Sequence, residues 1–195
     1  DKPEKAENRE KCRLCGSESP VFYREKKKVF HKCPECKGIF LSGDYLPDRE
    51  KERNRYLKHR NDPKERGYRK FLEPLTSRVT KEYLPASEGL DFGAGPGGAV
   101  SEILKEKGYL LKLYDPFFFD FPSLLENQYD FIICCETSEH FHHPSGEFMR
   151  LRKMLRPGGR LFCMTELYDP VSIDFKRWHY KNDFTHVFLY QKETF

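Results

Sequence analysis

The 195-residue chain has no run of about 18 apolar residues, so it offers no helix able to span a membrane. Its start, Asp1 to Lys11, is polar and mixed in charge. It lacks the apolar core of a signal peptide, and the expected location is the cytoplasm, with no membrane partner. No Met opens the sequence, as expected if residues precede Asp1. Internal repeats and low-complexity tracts are also missing, which excludes solenoid and fibrous classes. What is present is 15% aromatic, with 17 Phe and 11 Tyr. These rings supply much of the core in place of the usual Leu and Val. Charged residues reach 34% and solvate the surface.

The net charge of +4 conceals an asymmetry. Residues 1–81 hold 23 Lys and Arg against 14 Asp and Glu, a net of +9. Residues 82–195 hold 12 against 17, a net of −5. A basic N-terminal part could face phosphate. Its cations alternate with Glu, however, as in Asp48 to Arg55, and that pattern suits a solvated face better.

Seven cysteines fall into two groups. Cys12-x-x-Cys15 and Cys33-x-x-Cys36 are separated by 17 residues, a spacing that suits a four-cysteine zinc ribbon. Each turn sets two thiolates on one side of a tight loop, and two turns complete a tetrahedron around Zn2+. Disulfides are disfavoured in a cytosolic chain, and a redox Cys-x-x-Cys would come singly. Four thiolates close the coordination sphere, so the zinc is expected to be structural. Val21–Tyr23 and Lys28–Phe30 read as a hairpin between the knuckles. So small a ribbon is expected to need its metal to fold. Cys134, Cys135 and Cys163 lie in apolar runs and read as small hydrophobes on strands.

Asp44 to Asn61 reads as a charged linker or exposed helix. Beyond Pro63, Tyr68, Phe71, Leu72, Leu75, Val79 and Tyr83 follow helical spacing, with Pro74 expected to kink the helix or start its second half. An α/β alternation follows: strand Gly89–Phe92, a glycine turn, helix Ala99–Lys107, strand Tyr109–Tyr114, strand Tyr129–Cys135, helix Gly146–Leu155, turn Arg156–Gly159 and strand Arg160–Thr165. The expected fold is α/β, a Rossmann-like, mostly parallel sheet flanked by helices, with ligands at the C-terminal ends of its strands. The expected domains are a zinc ribbon (1–43), a charged linker or helix (44–62) and a cofactor-binding domain (63–195).

The central motif is Leu90-Asp91-Phe92-Gly93-Ala94-Gly95-Pro96-Gly97-Gly98. Its glycines alone also satisfy the dinucleotide pattern, and so do not separate NAD from S-adenosylmethionine. The neighbours do. Asp91 precedes the loop, where it can face a cofactor ammonium through its surroundings. Asp115 ends the second strand, where a carboxylate can accept from both ribose hydroxyls. Glu136-x-x-Glu139-His140 follows one buried strand, and Leu155-Arg156-Pro157-Gly158-Gly159 precedes the next. This ordered set resembles class I S-adenosylmethionine methyltransferases over residues 63–194. The resemblance implies that Gly93, Ala94, Gly95 and Gly97 form the cofactor loop, that Asp115 holds the ribose and that Glu136 lies near the methionine moiety. Two departures stand out. Only 13 residues separate Asp115 from Tyr129, too few for the family's helix and third strand, so Pro116 to Pro122 must be mostly loop. Its four Phe either line an adenine pocket or plug a core. The family also continues past the last strand seen here, so either the chain extends beyond Phe195 or another element covers that sheet edge.

Methyl transfer needs an aligned nucleophile, and a base can assist by taking its proton. One cluster of suitable side chains is Glu136 to His140, with His142 and His143 behind. The other is Trp178 to His186. The first resembles the E-x-x-E-H segment of ubiquinone-pathway O-methyltransferases, which implies a second, divalent metal on Glu136, Glu139 and His140. His140 also reads as a structural residue, a base or a substrate contact, and His186 as a pocket residue or a plain core or surface histidine. Glu139, His140 and His186 are thus the catalytic candidates. The paired cysteines with Arg13, Gly16 and Pro34 are similar to the ribbon of bacterial sugar-nucleotide C-methyltransferases, over about 35 residues. Tyr56, His59, Arg60 and Asn61 read as a solvated helix or a lid over the cofactor.

The expected function is methyl transfer from S-adenosylmethionine to a small-molecule acceptor, on oxygen or less readily on carbon. One alternative is an RNA methyltransferase docking through the basic ribbon, although the N/D-P-P-Y/F motif of base amino-methylation is absent. A non-catalytic zinc-ribbon interaction protein is the other.

Overall fold

The structure is a computed structural model and describes residues 9–25, 28–58 and 61–195. His59 and Arg60 of the expected lid lie outside the described residues. In chain order the strands and helices are β1 (Glu10–Lys11), β2 (Glu18–Ser19), β3 (Val21–Glu25), β4 (Lys28–Lys32), β5 (Ile39–Leu41), α1 (Arg49–Tyr56), α2 (Arg66–Glu82), β6 (Gly89–Phe92), α3 (Ala99–Lys105), β7 (Lys112–Tyr114), β8 (Tyr129–Cys135), α4 (Pro144–Lys153), β9 (Leu155–Met164) and β10 (Phe188–Leu189). They fall into two units, each discontinuous in sequence. One comprises Arg49–Ser138 and Phe148–Met164; the other comprises the chain up to Asp48, Glu139–Glu147 and Thr165–Phe195. No helix among the described residues is long and apolar enough to cross a membrane.

The first unit is the α/β part. Its sheet is parallel throughout, in the order β7-β6-β8-β9. Strands buried on both faces must be apolar along their length, and Phe131 to Cys134 in β8 meets that demand. The chain runs outward from β6 to β7 on one side and to β8 on the other, so the order reverses at β6. Ligands of such sheets bind at that switch point, outside the C-terminal strand ends. Helix α2 is capped by Glu65, whose carboxylate accepts from the amides of Gly67 and Tyr68. It buries Leu72, Leu75 and Val79 in a core shared with Val100, Ile103 and Leu104 of α3 and with Phe131 and Ile133 of β8. Phe71, expected on that face, is instead half exposed. Pro74 sits inside the helix, which continues through it to Glu82.

Other boundaries differ for local reasons. Strand β7 is shorter than expected because Tyr109 turns inward and donates its hydroxyl to the Tyr83 carbonyl, while Leu110 faces solvent. The Arg156–Gly159 turn is absorbed into β9 as an irregularity: Tyr129 pairs with Leu155, and Phe131 with Arg160. The segment after Asp115 holds one isolated bridge, Asp115 to Phe119, and a short 3-10 turn at Pro122–Glu126. None of its four Phe is buried, so they do not plug a core.

The second unit carries the paired cysteines. Its main sheet is antiparallel, in the order β10-β5-β4-β3, with Phe188 opposite Phe40 and Leu189 opposite Ile39. A strand from near the end of the sequence therefore completes the ribbon sheet. Residues 165–195 also bring Tyr168, Phe175, Trp178, Tyr180 and Val187 against Phe30, Ile39 and Leu41. The apolar side chains that complete the ribbon's core thus come from residues 165–195. Lys181, fully buried, donates to Glu25 at 2.9 Å and ties β3 to the same segment.

Phe131 lies at the centre of the α/β core. Its ring fills the space a side chain on Gly89 would need and packs against Tyr83, ring centroids 4.9 Å apart. Phe131→Ala is expected to destabilise this unit by about 3–5 kcal/mol, read as a lower urea midpoint. A loss below about 1 kcal/mol would show that the sheet collapses around the cavity.

Candidate active site and metal centre

The glycine loop follows β6 directly. Gly93 has φ +79° and Gly95 φ +64°, and a Cβ on Gly93 would overlap the Thr137 side chain. Both the conformation and the close approach therefore require glycine at position 93. The Gly93 and Ala94 amides donate to the Tyr114 carbonyl at 2.8 and 3.2 Å, which fastens the loop to the end of β7. The next residue, Asp115, is buried. Its Oδ2 accepts from the Gly95 amide at 2.9 Å, and its Oδ1 from the Phe117 and Phe118 amides at 2.8 and 3.2 Å. One carboxylate thus fixes two loops at the strand ends.

Helix α1 meets the second of these loops. The Arg49 guanidinium lies 4.7 Å from the centre of the Phe117 ring, and Tyr56 meets that ring edge-on at 5.4 Å. The backbone of Asn61 comes within 4.0 Å of where a Gly97 side chain would start.

At the end of β8, Glu136 takes φ +46°, a left-handed conformation that costs a non-glycine residue of order 1–3 kcal/mol. Its amide donates to the Met164 carbonyl at 2.7 Å. The Thr137 hydroxyl donates to the Cys135 carbonyl at 2.9 Å. Tyr68 of α2 is one of the residues at helical spacing. It is half-buried, and burial followed by the charges of Cys135, Glu136 and Asp91 pushes its phenol up. Nothing in its helical position separates it from a packing residue, so the sequence held no signal of that neighbourhood.

Asp91 is fully buried and accepts the Ser101 hydroxyl at 2.9 Å. Burial pushes its carboxyl up to about 6; the Ser101 bond opposes this, and the Asp115 charge adds to it.

In the second unit, the paired cysteines converge. Cys12 Sγ lies 3.6 Å from Cys36 Sγ, and Cys15 Sγ lies 3.4 Å from Cys33 Sγ. Around a tetrahedral zinc with Zn–S of about 2.3 Å, sulfurs sit about 3.8 Å apart, so this arrangement fits the ion with small adjustments. Left-handed Gly16 and Lys37 close the two turns. The hydrogen bond from Cys36 brings the Cys12 thiol down to about 5, and the same contact pushes Cys36 up. A proton shared between two sulfurs is what a bridging cation would replace.

The remaining candidates, Glu139, His140 and His186, also meet in this unit. The Val187 amide donates to the Glu139 carbonyl at 2.8 Å. That pairing sets His140 and His186 side by side, with ring centroids 4.9 Å apart. The Nδ1 of His140 lies 2.8 Å from the Thr185 carbonyl, and the Nδ1 of His186 2.7 Å from the Tyr180 carbonyl. Glu139 is fully buried and accepts the Tyr180 hydroxyl at 2.6 Å. Among the described residues, the groups whose metal-ligating atoms lie within 4.8 Å of one another are the four cysteines and this Glu139, His140, His186 trio. Glu136 is not in it.

Comparison with known proteins agrees with the fold. The family model described as a methyltransferase domain matches residues 51–195. The chain therefore belongs to that methyltransferase family, with class I architecture. It is also 31% identical over 77 residues to a protein named ubiquinone biosynthesis O-methyltransferase from Aeromonas salmonicida (strain A449). That match covers 40% of this chain and 32% of the relative, so it spans about a third of the relative's length.

Asp91 yields a pH test. Its folded value, about 6, lies above the ordinary 3.8. Below that ordinary value it is protonated in both states, and its contribution to stability is complete. Between about pH 4 and 6 the unfolded chain ionises first, so stability falls, by about 3 kcal/mol in all. Asp91→Asn is expected to lack this loss, seen as a difference between the two proteins' unfolding midpoints that grows over that window. Parallel curves would show that Asp91 titrates normally.

Proposed function

We propose that this chain transfers a methyl group from S-adenosylmethionine to a hydroxyl of a small-molecule acceptor, with carbon the less favoured target. The observation that carries the reading is the Asp115 carboxylate, fixed by three backbone amides at the end of β7 beside the Gly93–Gly97 loop. A carboxylate there, at the switch point of a parallel sheet, suits a nucleoside's ribose hydroxyls. Gly93, Ala94, Gly95 and Gly97 bring backbone close to the cofactor, Asp91, bonded to Ser101 of α3, acts on the cofactor ammonium through its surroundings, and Glu136 faces the methionine end. When bound, S-adenosylmethionine supplies an electrophilic methyl on a sulfonium; the protein's part is to bind, align and exclude water. The acceptor is engaged by Glu139, His140 and His186, which follow β8 directly in sequence or precede β10. Zn2+ on Cys12, Cys15, Cys33 and Cys36 is structural in this reading, since four thiolates leave it no open position. A cytoplasmic location accords with reduced thiols.

Calorimetry with S-adenosylmethionine and its demethylated product is expected to show binding of both. Asp115→Ala should weaken each by roughly 30- to 150-fold, through lost ribose bonds and a loosened loop. Preference for NAD, or unchanged affinity in the variant, refutes the cofactor assignment. Salt-dependent RNA binding with methylation of that RNA would replace the small-molecule acceptor by nucleic acid.

Protein purified without added metal is expected to carry about one tightly held zinc per chain by elemental analysis, and Cys33→Ser to lose it. A metal-free preparation with an intact ribbon sheet would remove the zinc from this account.

A further inference from the structure

We infer that Glu139, His140 and His186 form a second metal site, a two-histidine, one-carboxylate set for a divalent first-row transition ion. This deepens the acceptor side of the reading above, yet stands apart from it in the test, because metal uptake is measured with no methyl donor present.

The tautomers come first. A carbonyl oxygen can only accept, so His140 and His186 each carry a proton on Nδ1, where they meet the Thr185 and Tyr180 carbonyls. In each neutral ring the lone pair is then on Nε2. Donation of one ring N–H to a backbone carbonyl is the usual second-sphere arrangement of a metal-binding histidine, since it fixes the ring and raises the basicity of the other nitrogen. Next comes the carboxylate. Glu139 is fully buried, and the Tyr180 hydroxyl orients its Oε1. A carboxylate withdrawn from water gains from a cation beside it, and two nitrogen lone pairs lie within reach.

The distances fit after small rotations. The ligating atoms lie within 4.8 Å of one another, and His140 Nε2 is 3.9 Å from Glu139 Oε1. A metal bound at about 2.0–2.2 Å needs its ligands about 3–4 Å apart. Imidazole donors favour zinc, cobalt, nickel or iron over magnesium and calcium. Three protein ligands leave open positions, which an acceptor oxygen can take; the four-cysteine site leaves none. This set departs from the one the ubiquinone-pathway resemblance implies. His186 is a ligand, Glu136 is not, and all three ligands belong to the unit that carries the ribbon.

Loading with Co2+ separates the two centres, because thiolate ligation gives intense charge-transfer absorption that nitrogen and oxygen ligands do not. The wild type is expected to take up about two Co2+ per chain, one with the thiolate bands and one without. His186→Gln and His140→Gln should keep the thiolate bands, which report a folded ribbon unit, and lose the second ion. Glu136→Gln should keep both ions. Uptake of a single ion by the wild type, or of both by the two histidine variants, overturns the proposal. So does loss of the second ion in Glu136→Gln with its retention in His186→Gln. Should His186→Gln lose the thiolate bands through misfolding, His140→Gln, whose side chain is partly exposed, decides by the same criteria. Failure here leaves the S-adenosylmethionine calorimetry untouched, and failure there leaves the metal count untouched.

Discussion

Both backbone groups of Val187 are used to join parts of the chain that are far apart in sequence. Its amide donates to the Glu139 carbonyl at 2.8 Å. Its carbonyl accepts from the Leu41 amide at 3.0 Å and from Arg13 Nη2 at 2.6 Å. One residue thus links strand β5, a side chain inside the first cysteine knuckle and the segment that presents Glu139 and His140. The side chain is itself fully buried among Phe30, Ile39 and Trp178. Hydrogen bonds in such a dry setting are costly to leave unmade, so the positions of the knuckle and of the Glu–His trio are coupled through a shared backbone.

A comparable economy governs the α/β unit, where Asp115 does for the loops what Val187 does for the strands. Its two oxygens take three amides, one from the loop after β6 and two from the loop after β7. Preorganisation of this kind removes the entropy of ordering a loop from the cost of binding. The strained Glu136 belongs to the same rim. A left-handed glutamate persists only where its surroundings over-determine it, and such positions concentrate at ligand sites. Here the Met164 carbonyl on one side and the Thr137 bonds on the other hold the backbone in that form.

Local patterns were legible in the sequence; long-range pairings were not. Strands β6 and β8 have the bounds their apolar runs suggest, because a buried parallel strand and a glycine turn each leave a contiguous signature. The loop glycines and the paired cysteines were visible for the same reason. The pairing of Phe188 with Phe40 was not, since two buried aromatic runs nearly 150 residues apart carry no register in themselves. His186 meets Glu139 and His140 through another long-range bond, from the Val187 amide to the Glu139 carbonyl, and so its partners could not be read from spacing. Glu136 and Glu139, by contrast, share a motif in sequence but stand in different units. Phe117 to Phe121 look like core by composition; the amides that Phe117 and Phe118 give to Asp115 keep this loop at the surface instead.

Arg13 connects the charge of the knuckles to this architecture. Its Nη2 reaches Val187, its Nε and Nη1 are buried with no hydrogen-bond partner among the described residues, and its guanidinium lies 5.5 Å from the centre of the Phe40 ring. Burial lowers its pKa, and the charges of Glu10 and Cys12 raise it. A buried cation so poorly supplied with acceptors is expensive unless negative charge lies close. Four thiolates on a divalent ion carry a net charge of about −2, and in a medium of low dielectric that charge is felt strongly at Arg13. Loaded with such an ion, the knuckle would compensate a guanidinium that is hydrogen-bonded to the residue orienting Glu139. Removing metal from the cysteines would leave Arg13 less well compensated, and the strain would fall first on Val187 and the pairing it makes with the Glu139 backbone. The cysteine knuckle is therefore more than an appended anchor: the setting of Arg13 and the alignment of the Glu139, His140 and His186 side chains rest on the same few atoms.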